Sequence, residues 1–450
     1  MNLATGAPAE RLTRQTSPLL SWQIVTVVLM VLGYSGYYLC RSNLSVAMPM
    51  IIADLESKGI PVDLARIRLG TIASLGVLAY ALGKFPSGAS ADFLGGRRNF
   101  LTGMIGSVVF TILFALGGAL PVFTLAWIGN RLVQSLGWAG MVKMTSRWFP
   151  FSSYGTAMGV ISLSYLFGDA ASREFMAVLI GRGLGWRAIF LVTAAVLLAL
   201  FLLNATLLKE SPSRLGLEEP RSNPLNLFAQ DGEKTAPAGL TSLLRPYLLS
   251  KTFWLVCVMS LGMTLVRETF NLWSPTYFTD VVGLTKAAAA HNSALFPLVG
   301  GLSVLLSGFL SDRLGATGRA ATILVGLVLT AFTLFGLAYL NFGHSTALPV
   351  VLVTLVAFLM IGPYAFLGGA ISLDFGGKRG SGTASGMIDG VGYLGGVLAG
   401  DSIARISVAH GWNGAFAILA CGTLVTSVVA SAYLVDQRRA VRVELPALQR

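Results

Sequence analysis

The feature that most constrains this chain is the regular return of apolar stretches about 20 residues long. The hydrocarbon core of a bilayer is about 30 Å thick, and about 20 helical residues are needed to cross it. Because backbone groups inside the bilayer must be satisfied within each helix, such stretches predict membrane-spanning helices. Twelve stretches qualify, at 22–52, 69–91, 100–120, 122–146, 155–181, 186–208, 252–280, 288–311, 320–341, 346–373, 382–409 and 412–435.

The composition agrees with a polytopic membrane protein. Of the 450 residues, 54% are hydrophobic and 12% are charged, whereas charged residues make up roughly a quarter of a soluble domain. So little polar surface cannot cover a water-soluble globule of this size, and we expect the lipid bilayer to be the main partner. The polar first 20 residues lack a signal-peptide cleavage pattern, so we expect the first span to be retained.

Lysine and arginine residues fall mainly on one side of the predicted spans. With the amino terminus in the cytoplasm, 20 of the 32 lie in cytoplasmic segments and 6 lie on the other side. Because basic loops resist translocation, both termini are predicted to face the cytoplasm. The net charge of +12 is then mostly a topology signal, and no soluble basic domain remains for nucleic acid. The other six basic residues lie inside spans: Arg41, Lys84, Arg131, Arg173, Arg267 and Arg405.

The two halves of the chain repeat. We predict a cytoplasmic segment at 1–21, six-helix bundles at 22–208 and 252–435, a cytoplasmic linker at 209–251 and a tail at 436–450. Landmarks recur at nearly constant offset: Arg41 and Arg267 differ by 226, the triplets 155–157 and 382–384 by 227, and the segments 88–92 and 308–312 by 220. The sequence therefore predicts an all-α membrane protein of twelve transmembrane helices in two pseudo-symmetric six-helix halves. Such halves place a binding site at their interface, near mid-membrane.

Two arginines at matching repeat positions are the strongest candidates for this site. An unpaired arginine near the bilayer centre costs at least ~2.5 kcal/mol, so it is retained for a partner, a cavity or a ligand. Arg41 lies deep in the first span, and Arg267 lies about 15 residues into the seventh. If both face one cavity, the two guanidiniums suit a doubly charged oxyanion such as phosphate or a phosphate ester.

Polar neighbours share the helix faces of these arginines. Tyr34 and Tyr38 lie on the face of Arg41, and Asn271 lies on the face of Arg267. In the second span, Tyr80 and Lys84 form an i,i+4 pair, which predicts a third cation at the cavity. The alternative for Lys84 is interhelical pairing or snorkelling. We expect these seven side chains to form the substrate site.

Other charges inside the spans have alternative interpretations. Two pairs have i,i+4 spacing and favour structural ion pairs, with proton coupling as the alternative: Asp169 with Arg173, and Asp401 with Arg405. Arg131 is interpreted as a helix-pairing residue. Glu268 follows Arg267 directly but lies about 100° away around the helix, which argues against a direct contact. No Ser/His/Asp, P-loop or metal constellation occurs in the sequence, so we expect neither an enzyme nor a cofactor.

Several motifs resemble one transporter group. The stretch from Gly33 to Asn43 resembles the first-helix signature of the organophosphate:phosphate antiporters, the group of glycerol-phosphate and hexose-phosphate transporters. Further matches are Tyr80 to Phe85, Gly137-Trp138 with Lys143 and Trp148, and Arg267 followed by 273–277. The resemblance implies that Arg41 and Arg267 bind the phosphate, with Tyr34, Tyr38, Tyr80 and Lys84 around them. The chain departs from the glycerol-phosphate branch at Leu272, at Ser164-Tyr165 and at Phe296-Pro297, which leaves general phosphate-ester exchange as the implied activity.

Repeated GxxxD segments resemble the cytoplasmic-loop motif of the major facilitator superfamily. Asp92 with Arg97, and Asp312 with Arg313, are therefore predicted to control conformational change. We predict a monomeric antiporter of the bacterial inner membrane that exchanges a phosphorylated metabolite for inorganic phosphate. Two alternatives remain: a sensor that binds a phosphate ester without rapid transport, and a proton-coupled organic-anion symporter that uses Asp169 or Asp401.

Overall fold

In the computed structural model, the described part of the chain contains twelve helices of ten or more residues. The structure describes residues 9–229, 236–284, 288, 292–343 and 345–448. The helices are α1 (Ala9–Ser57), α2 (Val62–Leu94), α3 (Gly96–Leu116), α4 (Leu120–Trp148), α5 (Tyr154–Gly181), α6 (Trp186–Leu207), α7 (Leu240–Leu249), α8 (Lys251–Asp280), α9 (Leu295–Arg313), α10 (Gly318–Tyr339), α11 (Ala347–Phe366) and α12 (Ser372–Leu448). The predicted all-α class is confirmed.

Helix α12 contains two spans because its backbone leaves the helical region twice. Gly377 has a φ of 49° and Gly411 a φ of 69°, values that residues with a Cβ rarely adopt. These glycines separate a middle segment, 378–410, from a last segment, 412–448. The first half of the molecule then contains α1 to α6, and the second half contains α8 to α11 with these two segments. The short helix α7 belongs to the connection between the halves.

The helices extend beyond the predicted spans, since α1 begins at Ala9 instead of 22 and α2 begins at Val62 instead of 69. An apolar run marks only the part of a helix that meets lipid, whereas helical hydrogen bonding continues into water. Eight stretches of the described helices are long and apolar enough to cross a membrane. Helices α2, α4 and α5 are not among them, and each carries a charged residue well inside its length: Lys84, Arg131 and Asp169.

The two halves meet closely along two helix pairs. Helix α2 packs against the middle segment of α12, and α5 packs against α9. A Cβ added to Gly88 would lie 2.5 Å from the carbonyl oxygen of Gly382, and one added to Gly308 would lie 2.6 Å from that of Gly155. These four glycines are the landmarks of the predicted repeat. Each half therefore contributes two parts to the contact: the end of a helix that carries a GxxxD segment, and the start of a helix that carries a glycine.

Both glycine contacts lie on the side of the bundle where α6 ends and α8 begins. This side, which we call the linker side, carries the described parts of the connection between the halves, 208–229 and 236–250. Helix α2 ends here at Leu94, and α5 begins here at Tyr154. The halves are therefore in close contact on the linker side.

Candidate functional site

A cavity of about 760 Å³ lies between the two halves. Helices α1, α2, α4 and α5 line it from the first half, and α8, α9, α11 and the middle segment of α12 line it from the second. All seven residues predicted to bind substrate contribute to its wall: Tyr34, Tyr38, Arg41, Tyr80, Lys84, Arg267 and Asn271. The structure therefore brings together side chains from three helices that are distant in sequence.

Arg41 lies among aromatic rings on the first-half side of the cavity. Its Nη1 donates to the hydroxyl of Tyr38 at 3.1 Å, and its Nε donates to Oε1 of Gln134 at 3.1 Å. The guanidinium stands 4.5 Å from the ring centroid of Tyr80 and 4.8 Å from that of Tyr38. Cation–π attraction stabilises the charge, and the bonds to Tyr38 and Gln134 use two of the five N–H donors of the guanidinium.

Arg131 contacts the same two groups as Arg41, namely Gln134 and Tyr80. Its interpretation from the sequence as a helix-pairing residue missed this position. Its Nη1 donates to Oε1 of Gln134 at 3.2 Å, and its guanidinium stands 4.7 Å from the centroid of Tyr80. The side chain lines the cavity. The position of Arg131 deep inside a span was the one sign in the sequence of a functional role. None of the landmarks that recur in the two halves lies in α4, so nothing indicated that Arg131 faces the cavity.

Lys84 forms an ion pair with Asp389 across the two halves. Its Nζ lies 2.8 Å from Oδ2 of Asp389 and 4.9 Å from the ring centroid of Tyr80. The lysine side chain is only 2% exposed. Lys84 therefore pairs between helices, as the alternative expected, and it also lines the cavity; its part in substrate binding stays a prediction.

The predicted separation of Arg267 from Glu268 is wrong. The Nε of Arg267 donates to Oε1 of Glu268 at 3.0 Å, and its Nη2 contacts the same oxygen. An angle of 100° around the helix fixes only the Cα–Cβ directions, and two long flexible side chains can still bend toward each other. Arg267 also stands 4.5 Å from the ring centroid of Tyr364, and its Nη2 lies 3.5 Å from the hydroxyl of Tyr393.

The two predicted aspartate–arginine pairs are only partly described. Asp169 lines the cavity and accepts a hydrogen bond from the hydroxyl of Ser42 on α1. Arg405 is exposed. The side chains of Arg173 and Asp401 lie outside the described residues, so both pairings stay predictions. Among the residues that the structure describes, no cluster of His, Cys, Asp or Glu is arranged to hold a metal ion.

The GxxxD aspartates bind helix starts of the opposite half. Asp92 accepts from the backbone N–H of Gly382 at 3.2 Å and of Thr383 at 2.7 Å. Asp312 accepts from the N–H of Gly155 at 3.1 Å and of Thr156 at 2.7 Å. Free N–H groups and the helix dipole make such a helix start favourable for a carboxylate. The two contacts therefore tie the halves together on the linker side.

The arginines predicted to act with these aspartates, Arg97 and Arg313, make contacts with other groups. Arg313 is exposed and stacks on the ring of Phe309 at 4.1 Å, and Arg97 donates to backbone carbonyls at the end of α6, including Leu208 at 2.7 Å. The cations beside the aspartates are instead Lys143, 3.0 Å from Asp92, and Arg319, 3.1 Å from Asp312. Sequence adjacency to the motif was therefore a poor guide, because α4 and the start of α10 supply the partners.

The connection between the halves adds charged contacts on the linker side. The Oε1 of Glu219 accepts from Arg147 at 2.5 Å and from the hydroxyl of Ser213 at 2.7 Å, and its Oε2 lies 3.6 Å from Nζ of Lys378 in the second half. Partial burial favours a higher pKa of Glu219, but the hydrogen bonds from Arg147 and Ser213 outweigh it and lower the pKa. The ionised form is therefore the stable one.

Comparison with known proteins identifies the family. Residues 30–400 match the Major Facilitator Superfamily. The chain belongs to this superfamily. Its structure superposes on that of the proton:xylose symporter XylE with a TM-score of 0.71 and 14% identity, covering 92% of this chain and 96% of that one. The predicted facilitator fold of twelve helices in two halves is confirmed.

Relatives of known name confirm the predicted resemblance to organophosphate:phosphate antiporters. The chain is 28% identical over 415 residues to a probable hexose phosphate transport protein of Chlamydia muridarum, covering 90% of this chain and 89% of that one. It is 25% identical over 422 residues to the membrane sensor protein UhpC of Escherichia coli, with 92% of each chain covered. The superfamily member described here is therefore an integral membrane protein of a transporter family.

Proposed function

We propose that this protein exchanges a phosphorylated metabolite for inorganic phosphate by alternating access. The observation that carries the proposal is the cavity between the halves, whose wall holds four cationic side chains: Arg41, Lys84, Arg131 and Arg267. Within the described residues, the guanidiniums of Arg41 and Arg131 have no carboxylate partner. An oxyanion with two charges is the ligand that such a site selects.

The charge of the empty cavity favours exchange over uniport. Burying unpaired like charges is costly, so the empty protein resists the occluded state through which the halves must pass. Either a phosphate ester or inorganic phosphate neutralises the cluster and lowers this barrier. Movement is then largely restricted to loaded states, which couples the outward passage of one anion to the inward passage of the other.

The linker side is proposed to be the cytoplasmic side. Of the 32 lysines and arginines, 20 fall in segments assigned to this side, as expected for loops that are not translocated. The two aspartate contacts and the linker contacts then close the cavity toward the cytoplasm. We propose that both termini lie in the cytoplasm, that the membrane is a bacterial inner membrane, and that one chain suffices for transport.

Exchange is tested in proteoliposomes preloaded with inorganic phosphate, by uptake of labelled glucose 6-phosphate. We expect uptake that requires internal phosphate and falls at least about tenfold in Arg41→Lys, because lysine lacks the planar fork of arginine. The exposed Arg438 supplies a matched control, since Arg438→Lys makes the same change outside the cavity. Uptake that is indifferent to internal phosphate contradicts the exchange mechanism.

A sensor is the second candidate, because the chain is similar to UhpC along 92% of both proteins. A sensor binds the phosphate ester but moves it slowly. In the same preparation it shows saturable binding of glucose 6-phosphate with no uptake into phosphate-loaded vesicles. That result favours sensing over exchange.

A further inference from the structure

A second cavity, of about 840 Å³, lies on the linker side of the first half, apart from the cavity between the halves. It is bounded by α1, by the start of α5 and by part of the connection between the halves, and we call it the α1–α5 crevice. Its lining residues include Leu20, Ile24 and Val28 of α1, Ala157 and Val160 of α5, and residues 218–221 of the connection. The crevice therefore has apolar walls and a polar end.

The apolar walls lie at the depth of lipid acyl chains. Leu20, Ile24 and Val28 follow one another at four-residue intervals on one face of α1, within the stretch Pro18–Leu44 that is apolar enough to cross a membrane. Leu20 and Ile24 are each 58% exposed, and Val28 is 48% exposed. The α1 wall runs from Leu19 to Val28, a length of about 14 Å. One leaflet of the hydrocarbon core is roughly 15 Å deep, so the crevice fits acyl chains of the leaflet on the linker side.

The polar end of the crevice carries charges of both signs. Glu218 and Arg221 are exposed there, and neither has an ion-pair partner among the described residues. Glu219 also lines this end, but it already contacts Arg147 and Lys378. The charges left for a ligand are therefore one carboxylate and one guanidinium. A headgroup that combines an N–H-bearing cation with a phosphate is complementary to both.

The crevice adjoins a contact between the halves. Thr156, which lines it, donates from its backbone N–H and from its hydroxyl to Oδ2 of Asp312, each at 2.7 Å. At the polar end, Glu219 lies between Arg147 of the first half and Lys378 of the second. The polar end is thus held in place by both halves, so the crevice is complete only when the halves meet on the linker side. A ligand that binds one conformation more tightly shifts the balance toward it.

We propose that a phospholipid with a primary-ammonium headgroup binds in the α1–α5 crevice and stabilises the state that is closed on the linker side. Phosphatidylethanolamine is a lipid of this class. Its ammonium donates to Glu218, its phosphate accepts from Arg221, and its acyl chains lie against the exposed apolar face of α1. This site is separate from the cavity between the halves, and the proposal is independent of which anion the protein carries.

Native mass spectrometry of the purified full chain measures lipid binding. Phosphatidylethanolamine is compared with phosphatidylcholine and phosphatidylglycerol that carry the same acyl chains. Ile24→Trp and Val160→Phe fill the crevice from opposite walls, and Leu202→Trp places the same ring at an exposed position on α6 as a control. Glu218→Gln removes the charge assigned to the ammonium. Its control is Glu56→Gln, which makes the same change at an exposed position near the other end of α1.

We expect the wild-type protein to bind phosphatidylethanolamine more tightly than the other two lipids. The choline headgroup has no N–H donor and the glycerol headgroup has no cation, so neither satisfies Glu218. Both filling variants should weaken phosphatidylethanolamine at least about tenfold, because the added ring occupies the space of the acyl chains. Glu218→Gln should weaken it about two- to fivefold, the range for an exposed ion pair, and should not weaken phosphatidylglycerol. The two controls should bind all three lipids as the wild type does.

The conformational part of the proposal is tested in nanodiscs. Spin labels at the exposed residues Leu94 and Leu314 report the distance between the halves on the linker side. Adding phosphatidylethanolamine to phosphatidylcholine nanodiscs should raise the population with the shorter distance in the wild type. The same addition should have no effect in Ile24→Trp.

Four results would overturn the proposal or one of its parts. Wild-type affinity for phosphatidylethanolamine in the filling variants shows that the lipid does not bind in the crevice. Ile24→Trp changes an exposed side chain, so this test stays decisive if Val160→Phe does not fold. Equal affinity of Glu218→Gln and wild type overturns the headgroup assignment, and an unchanged distance distribution overturns the stabilising role. A dimer that retains no lipid and dissociates in the filling variants assigns the crevice to a second copy of the chain instead.

Discussion

The close approach of the halves at Gly88 makes a sharp prediction about conformational balance. Replacing Gly88 by alanine adds a Cβ that would lie 2.5 Å from the carbonyl oxygen of Gly382 and 2.9 Å from the Cα of Thr383. Both neighbours are backbone atoms, so no side-chain rotation can relieve the overlap. The substitution is therefore expected to push α2 away from the middle segment of α12 and to favour a state that is open on the linker side.

The size of the effect follows from these distances. Unstrained contacts of this kind lie near about 3.5 Å, so the two backbones must separate by roughly 0.6–1 Å. Overpacking of a tight interface costs about 1–3 kcal/mol, which corresponds to about a 5- to 140-fold change in the ratio of closed to open protein. Gly308→Ala is expected to act in the same direction, because its Cβ would lie 2.6 Å from the carbonyl oxygen of Gly155.

The shift is measurable as a distance between the halves. Leu94 and Leu314 are exposed and lie at the linker-side ends of α2 and α9. Both positions are therefore suitable for attaching a spin label. Pulsed electron paramagnetic resonance should show a longer distance gaining population in Gly88→Ala and in Gly308→Ala. Gly422→Ala is the matched helical control, because its Cβ would meet no atom within 4 Å.

A specific result refutes this reasoning. If Gly88→Ala keeps the wild-type distance distribution and the wild-type exchange rate, the linker-side contact does not limit opening. If Gly422→Ala shifts the distribution equally, the effect belongs to the helix propensity of alanine and not to the interface.

Three further predictions follow from contacts between the halves. Asp92→Asn removes the carboxylate that lies 3.0 Å from the buried Nζ of Lys143, so we expect about 3 kcal/mol of lost stability, visible as a lower melting temperature and a larger open population. Trp138→Phe removes the 2.9 Å hydrogen bond from its indole to the carbonyl of Gly368, and about 0.5–1.5 kcal/mol should be lost from the closed state, read from the same distance distribution. The lowered pKa of Glu219 means that its stabilisation is complete above its ordinary value of 4.5 and is lost as the pH falls through the lowered value. The melting temperatures of wild type and Glu219→Gln should therefore differ constantly above pH 4.5 and converge below it.

The fold was predictable because its signals are local or periodic. Apolar runs marked the spans, and the recurring glycines and aspartates marked the two halves. Those landmarks also turned out to be the contact points, since Gly88 and Asp92 meet the glycine helix start at Gly382. A residue pattern repeated in both halves is informative because the pseudo-symmetric packing uses it twice.

The pairing of charges was not predictable from spacing. Asp389 lies 305 residues from Lys84, and only the packing of α2 on α12 brings the two together. Arg131 was assigned to helix pairing from its place two turns before Trp138, and only the packing of α4 against α2, which carries Tyr80, shows that this face meets the cavity. Adjacent residues also misled, since Arg267 and Glu268 meet through side-chain flexibility that helical angles do not describe.

The cavity and the linker-side contact share one helix pair, through which the proposed transport would couple substrate binding to opening. Lys84, Gly88 and Asp92 follow one another at four-residue intervals along α2, and each meets the middle segment of α12. A Cβ added to Gly386 would lie 2.4 Å from the carbonyl oxygen of Lys84, so the two backbones touch between the ion pair and the aspartate contact as well. An anion that attracts Lys84 away from Asp389 weakens this interface from the cavity end. The free energy of binding can then offset the cost of separating Gly88 and Asp92 from their partners, so that opening follows loading.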